Sequence, residues 1–354
     1  MRIGRHEIDG HAVLAPMAGV TDRPFRILCR SLGAALAPSE MITSDTRLWH
    51  TKKTQRRMDH DGEPEPRVVQ LAGADPAALA EAARRNVDLG AQIIDINMGC
   101  PAKKVCNSLC GSALLQNESL VAEILAAVVT AVQDRVPVTL KTRTGWNRAH
   151  RNGLNVARIA EASGISAMAI HGRTREDFYH GNAEYDTIAQ IKRSVRIPIF
   201  ANGDIDSAAK ARAVLDLTRA DGVMLGRAVH GAPWIFRDVN AALDGGKFAS
   251  PLSRSDLRGI ILAHLESIYA FYGEDAGLGI ARKHLGWYSS LLGDALDARR
   301  EFMAAESTAL QFACAQQRYD HWVVSWRHDV TWVCRKNYND GQESTQDTRQ
   351  LRLQ

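Results

Sequence analysis

No run of 18 apolar residues occurs in this 354-residue chain, so a membrane-spanning helix is not expected. The opening segment, MRIGRHEIDGHAVLAPM, lacks the continuous apolar stretch of a secretion signal, and a cytoplasmic location is expected. Cysteine is sparse. Cys29, Cys100, Cys106, Cys110, Cys314 and Cys334 are too few and too scattered for a disulfide framework in a chain of this size. Cys100, Cys106 and Cys110 are spaced C-x5-C-x3-C, which lacks the repeated close pairs of a zinc site, so no metal is expected. Neither a P-loop nor a GxGxxG fingerprint is present. That argues against an ATP-binding P-loop and against a doubly wound dinucleotide fold. A large charge of one sign is also missing: the net charge is +4.

That small excess is unevenly spread. Residues 1–60 hold ten Lys/Arg against six Asp/Glu and include KKTQRR at 52–57, and residues 97–180 again hold ten against six. Residues 61–96 are acidic, at three against seven. Two basic segments could meet a phosphate backbone, although solvated surface is the commoner meaning of such runs.

Eight short apolar runs recur. They are VLAPM (13–17), LAPSE (36–40), VVQLAG (68–73), IIDINMG (93–99), VTLKTR (138–143), AMAIHG (167–172), PIFANGD (198–204) and DGVMLGR (221–227). Between most of them lie segments with apolar residues at three- and four-residue steps, the mark of a helix with one buried face. Examples are 75–90, 118–133, 156–164, 184–195 and 206–218. The strand runs are nearly all apolar at first, as strands buried on both faces should be. Eight such alternations over roughly 230 residues predict an α/β fold, a TIM (β/α)8 barrel occupying residues 1–245.

From residue 254 the pattern changes to amphipathic segments at 257–273, 278–292 and 298–315, which predict a small all-α helical domain over 254–315. The linker falls near DGGKFASPLSR (244–254). Residues 316–354 differ again, with Trp322, Trp326 and Trp332 and a polar end expected to be disordered; the tryptophans are expected to pack on the helical domain. Residues 254–354 carry twelve Lys/Arg and thirteen Asp/Glu, so any RNA surface there is a local patch.

Gln70, Asn97, Lys141, His171, Asn202 and Arg227 each stand at or just past the end of a strand run. In a barrel those ends open onto one face, where active sites are built. Cys100 follows Asn97 in NMGCP. A cysteine at a barrel mouth can be a nucleophile, a general acid or a metal ligand, and a lone one is more often inert core; the surrounding loop favours catalysis. With an ordinary thiol pKa of about 8.5, a protonated Cys100 could give a proton to a carbanion. ANGDID (201–206) and MLGRAVHGAPWIF (224–236) follow the seventh and eighth strands, where many barrels hold a phosphate. Gly203 and Gly226 would let backbone approach it and Arg227 would add charge, which suits a mononucleotide cofactor such as FMN. Lys141 would then face the negative end of a reduced flavin and Gln70 its pyrimidine edge.

These residues resemble the tRNA-dihydrouridine synthase family, and its bacterial B branch in particular, over roughly residues 1–310. The resemblance rests on LAPMAGVTDRPFR (14–26), SEM (39–41), VQLAG (69–73), IDINMGCPAKKV (94–105), GSALL (111–115), LKTRTGW (140–146), IHGRTR (170–175), ANGDI (201–205) and MLGRA (224–228). It implies FMN in the barrel, a tRNA-binding helical domain, NADPH as reductant, tRNA as partner and no obligate protein partner. It implies that Pro16, Met17 and Ala18 line the flavin, that Gln70, Lys141 and His171 contact it, and that Asn202, Gly203, Asp204, Gly226 and Arg227 hold its phosphate end. Cys100 would protonate C5 of a D-loop uridine while hydride reaches C6, with Asn97, Arg143 and Arg173 gripping the uridine and its phosphate. Two other readings stand beside it: a flavin barrel acting on a free pyrimidine, like a dihydroorotate dehydrogenase, and a non-catalytic RNA-binding barrel.

Overall fold

In the computed structural model, which describes residues 1–245 and 250–325, eight parallel strands form one sheet. They are β1 (Ala12–Leu14), β2 (Ile42–Thr43), β3 (Val68–Ala72), β4 (Ile93–Met98), β5 (Val138–Arg143), β6 (Ala167–His171), β7 (Ile199–Asn202) and β8 (Gly222–Leu225). From β2 each strand pairs with the next, and β8 pairs with β1. The remaining junction is made by an irregular segment. Ala35 N–H donates to Ala12 O, Leu14 N–H to Leu36 O, and Ser39 N–H to Val68 O, so residues 35–39 bridge β1 and β3. The run expected as a strand at 36–40 therefore does the pairing of one without its regularity. Pro38 has no N–H to give, and regular pairing resumes only at Ile42. The architecture is the expected TIM barrel.

Strand parity divides the side chains. On β8, Val223 and Leu225 join the shell packed under the helices, while Met224 joins Val13, Val68, Ile93, Ala167, Ala169 and Phe200 inside the barrel. A short antiparallel hairpin, Arg2–Ile3 with His6–Glu7, adds Ile3 and Ile8 to that inner cluster. Continuing the same parity upward sets Gln70, Asn97, Lys141, His171 and Asn202 inward at the carboxyl ends, and the cross-strand register places Asn97 beside Lys141 and His171 beside Asn202.

The outer helices include α1 (Arg23–Ser31), α2 (Lys52–Met58), α3 (Pro76–Asp88), α4 (Lys103–Cys106), α5 (Glu118–Val132), α6 (Gly153–Ala162), α7 (Asp186–Ser194), α8 (Ala208–Thr218) and α9 (Ile235–Leu243). Their starts follow ordinary capping chemistry: Asp22 caps α1 and Asp75 caps α3, each with proline in the first turn.

A helical bundle follows, built from α10 (Arg254–Tyr272), α11 (Glu274–Tyr288), α12 (Ala295–Ala304) and α13 (Thr308–Ser325). Ser253 and Asp256 form a capping box that starts α10. The stretch 298–315, expected as one helix, is two: α12 ends before Ala305, and Glu274 accepts from the backbone and hydroxyl of Thr308 at the start of α13. Position 316, where the sequence pattern shifts, lies within α13. Tyr319 is buried in the bundle core and Trp322 packs against it, with Arg254 over the indole at 4.8 Å. Trp326, Trp332 and the polar end lie outside the described residues. No helix among the described residues is long and apolar enough to cross a membrane.

Candidate active site at the barrel mouth

Two cavities, of about 510 and 420 Å³, open at the carboxyl ends of the strands. They share Pro16, Met17, Lys141, His171, Tyr179 and Arg227 as walls and form one cleft of the size that small cofactors occupy. Asn202, Gly203, Asp204 and Gly226 line the first cavity only. Ala18, Gln70, Asn97, Cys100 and Arg143 line the second only.

A chain of amides orders the second cavity. Buried Asp95 accepts from Thr139 Oγ1 and from Gln70 Nε2, each at 2.7 Å. Gln70 Oε1 then accepts from Asn97 Nδ2 at 2.8 Å. Asn97 Oδ1 is left to accept from the backbone N–H of Cys100 at 3.0 Å and of Gly99 at 3.2 Å. The amide orientations of Gln70 and Asn97 are thereby determined, and the Cys100 loop is tied to the barrel floor. Its other anchor is the segment GSALL. The Cys100 carbonyl accepts from Ser112 N–H at 3.1 Å and Ser112 Oγ at 2.9 Å. Gly111 adopts φ +61°, and a Cβ there would come within 2.8 Å of that same carbonyl.

Burial raises the Cys100 thiol above its ordinary range, against the opposing influence of the Ala102 amide and of Arg143 and Lys141. The sulfur therefore holds its proton at neutral pH. The cysteines of the described residues are unpaired, and no group of three His, Cys, Asp or Glu side chains there could hold a metal.

Lys141 stands under both cavities, with Nζ donating to Asn202 Oδ1 at 3.3 Å, while Asn202 Nδ2 donates to Met224 O at 2.8 Å. Burial, reinforced by Arg143, lowers the Lys141 ammonium to about 8. Burial together with Arg143, Lys141 and Arg173 holds His171 well below its usual range, so its ring is neutral.

Asp204 takes φ +47° and draws together residues from three segments. Its carboxylate accepts from Arg173 Nη2 at 2.6 Å, from Ala183 N–H at 2.8 Å and from Arg227 Nη2 at 3.2 Å. Burial opposes its ionisation, but these bonds prevail and keep the carboxyl below its usual range. Beside it, Gly226 lines the first cavity, and a Cβ there would meet only the Ala15 methyl, at 3.9 Å.

Of the residues singled out from the sequence, Arg173 alone lines neither cavity. It is 3% exposed and lies behind His171 and Asp204, with its Nε and Nη2 also held by the carbonyls of His180 and Gly181. Arg143 does reach the second cavity, but its Nε and Nη1 donate to Gly99, Thr174 and Phe178 carbonyls at 2.8–2.9 Å. Tyr179 and His230 are among the wall residues that escaped the sequence reading. Tyr179 lines both cavities with Arg143 and Arg227 over its ring at 5.5 and 5.0 Å, and His230 lines the second. Tyr179 sits in DFYHGN, a polar loop with no periodic signal; the aromatic within it was the only cue.

The profile of the dihydrouridine synthase family matches residues 13–321. The chain belongs to this family. Membership agrees with the resemblance drawn from the motifs, down to the branch. The chain is 57% identical over 317 residues to tRNA-dihydrouridine synthase B of Pseudomonas aeruginosa, covering 90% of this chain and 95% of that one. It is 58% identical to the protein of the same name from Pseudomonas syringae pv. tomato, covering 90% and 93%. With that of Serratia marcescens it shares 49% identity over 95% and 100% of the two chains. Among solved structures, histamine dehydrogenase from Rhizobium sp. 4-9 superposes with a TM-score of 0.53 at 12% identity, over 75% of this chain and 50% of that one. A 2-naphthoyl-CoA reductase also gives 0.53 at 12%, over 69% and 51%. This chain thus spans about half of each of those structures, and the likeness concerns the fold.

Proposed function

We propose that this dihydrouridine synthase family member is a cytoplasmic FMN-dependent enzyme that reduces the C5=C6 bond of a D-loop uridine in tRNA to 5,6-dihydrouridine, with NADPH as reductant. The observation that carries the proposal is the placement of a protonated Cys100 thiol in the same cleft as Lys141, His171 and Gln70. The name that these relatives carry, tRNA-dihydrouridine synthase B, supports the substrate.

The cleft fits FMN by the chemistry of its walls. Gly226 leaves open the volume that a side chain would fill, and Arg227 and the Gly203 backbone border the same space, which suits the phosphate end. Asn202 and Asp204 complete that end, with Asp204 orienting Arg227 and Arg173 bracing Asp204 from behind. Pro16, Met17 and Ala18 offer an apolar edge for the ring, Gln70 an amide, and Lys141 and His171 donors for its electron-rich side. FMN held there and reduced by NADPH would supply a hydride to C6 of the uracil.

The chain's own residues do the rest. A uridine within folded RNA is out of reach, so it must leave its stack and enter the second cavity. Asn97 and Arg143 border that cavity and orient the pyrimidine. Cys100 gives its proton to C5, and the resulting thiolate regains one from solvent. Arg143 and Lys141 are close enough to stabilise that thiolate as it forms. Incubating the purified protein with FMN, NADPH and either unmodified tRNA or orotate tests the reading: dihydrouridine should appear in the tRNA alone. Reduction of orotate only, or tRNA binding by a flavin-free protein, would overturn it.

A further inference from the structure

The two arginines expected to grip the RNA have most of their donors committed to the protein. Arg143 donates to the carbonyls of Gly99, Thr174 and Phe178, and Arg173 to those of His180 and Gly181, to Asp204 and to His171. An RNA strand whose base enters the second cavity still brings a phosphodiester to the rim, and that charge needs a partner.

The rim on the side of the helical bundle has one. His230, just after β8, is a wall of the cavity that holds Cys100. Its ring stacks on Trp287 of α11 with centroids 4.0 Å apart and planes 7° from parallel. The approach is built in: Gly231 adopts φ +75°, and a Cβ there would lie 2.8 Å from Trp287 O. The buried Nε2 of His230 has no hydrogen-bond partner among the described residues. Lys283 lies one turn before Trp287 on α11, hence on the same face. Its ammonium donates to Gly19 O, in the loop whose Pro16, Met17, Ala18 and Val20 line the cavity.

The groups facing His230 are basic. Burial, Lys283 and Arg227 together hold its ring in the neutral form, and His284, itself neutral, is a further titratable neighbour. Two carboxylates stand one bond removed: Asp204 on Arg227, and Glu40, which accepts from Gly19 N–H. The arrangement concentrates donors without an anion of its own.

We propose that His230 and Lys283 form a phosphodiester subsite where the barrel meets the helical bundle, taking the RNA phosphate beside the flipped uridine. The proposal rests on the tRNA reading above. An imidazole fixed in plane by Trp287 and an ammonium able to exchange Gly19 O for a phosphate oxygen are suited to a monoanion. A bound phosphate favours the charged imidazole, so RNA binding takes up a proton and tightens as pH falls toward the lowered pKa of the free ring.

The test uses the FMN-loaded enzyme with tRNA lacking dihydrouridine, comparing wild type with His230→Phe, His230→Gln and Lys283→Gln. The expected result is a five- to tenfold rise in KM for tRNA in His230→Phe and Lys283→Gln, with kcat altered less than twofold. In Lys283→Gln the slope of log KM against log salt should also fall by roughly 0.7–0.9, one phosphate contact. The improvement of KM on lowering the pH from 8 to 6 should be smaller in His230→Gln than in wild type, Lys141 titrating alike in both. Flavin absorbance reports that each variant is folded, and if His230→Phe loses flavin, His230→Gln and Lys283→Gln decide. Wild-type KM and salt slope in Lys283→Gln, or a loss confined to kcat, would overturn the subsite. A wild-type enzyme that leaves tRNA unreduced would instead overturn the functional reading itself.

Discussion

Arg173 Nη1 lies 3.2 Å from His171 Nε2, and since a guanidinium can only donate, the imidazole accepts there. The neutral ring therefore carries its proton on Nδ1, on the edge away from Arg173. Gly203 stands against that accepting edge, since a Cβ on it would sit 3.0 Å from His171 Cδ2 and 3.3 Å from Nε2. A buried arginine that lines neither cavity thus sets the tautomer of a residue that lines both.

Cys100→Ala should keep its flavin and lose about 10²–10⁴-fold in turnover, the usual worth of a general acid. Single-turnover oxidation of the reduced enzyme by tRNA is the measurement. Wild-type rates in this variant would remove the thiol from the reaction.

Lys141 has a pKa of about 8 in the fold against an ordinary 10.5. Between those values the unfolded chain binds a proton that the folded one does not, so stability of the flavin-free protein rises as pH climbs from 8 toward 10.5. Below 8 the buried charge costs its full amount. Lys141→Met should flatten that rise in denaturant titrations. It should also weaken FMN binding by at least about tenfold, since a charged donor is lost. An identical pH dependence in wild type and variant would contradict the assignment.

Gly111→Ala should disturb the Cys100 loop. Its backbone is left-handed, and the added methyl would strike the Cys100 carbonyl that Ser112 holds. A loss of about 1–3 kcal/mol in stability is expected, with turnover falling more than flavin content. Thermal melts and flavin absorbance read the two effects separately.

Asp22 caps α1 and accepts from Tyr272 Oη of α10 at 2.9 Å, tying the barrel to the bundle. Burial raises its carboxyl from 3.8 to about 6, although the Phe25 amide, Tyr272 and Arg26 oppose the shift. Here the folded state binds the extra proton, so this group makes stability fall as pH rises from about 4 to 6. Asp22→Asn keeps the cap and should remove that slope. An unchanged pH profile between 4 and 6 would show that Asp22 does not carry it.

Much of the site could be read from the chain alone, because strand parity is local. A polar residue on the inward register of an apolar strand, as at Gln70, Asn97, His171 and Asn202, enters the barrel by simple alternation. Arg173 shows the limit. Motif position set it beside the others, yet its direction depends on where Asp204 and the carbonyls of residues 180 and 181 fold back. The second strand is a like case: composition indicated pairing near residues 36–40, but Pro38 left the junction irregular.

Alternation of apolar runs with helical periods determined the barrel, the following helices and the ring of strand-end side chains, since each follows from rules spanning a few residues. Only the tertiary structure decided which donors are already spent, which proton a histidine carries, and that His230 meets Trp287 across the barrel–bundle junction. Those features join residues far apart in the chain, and spacing in sequence carries no information about distance once the backbone has turned back on itself.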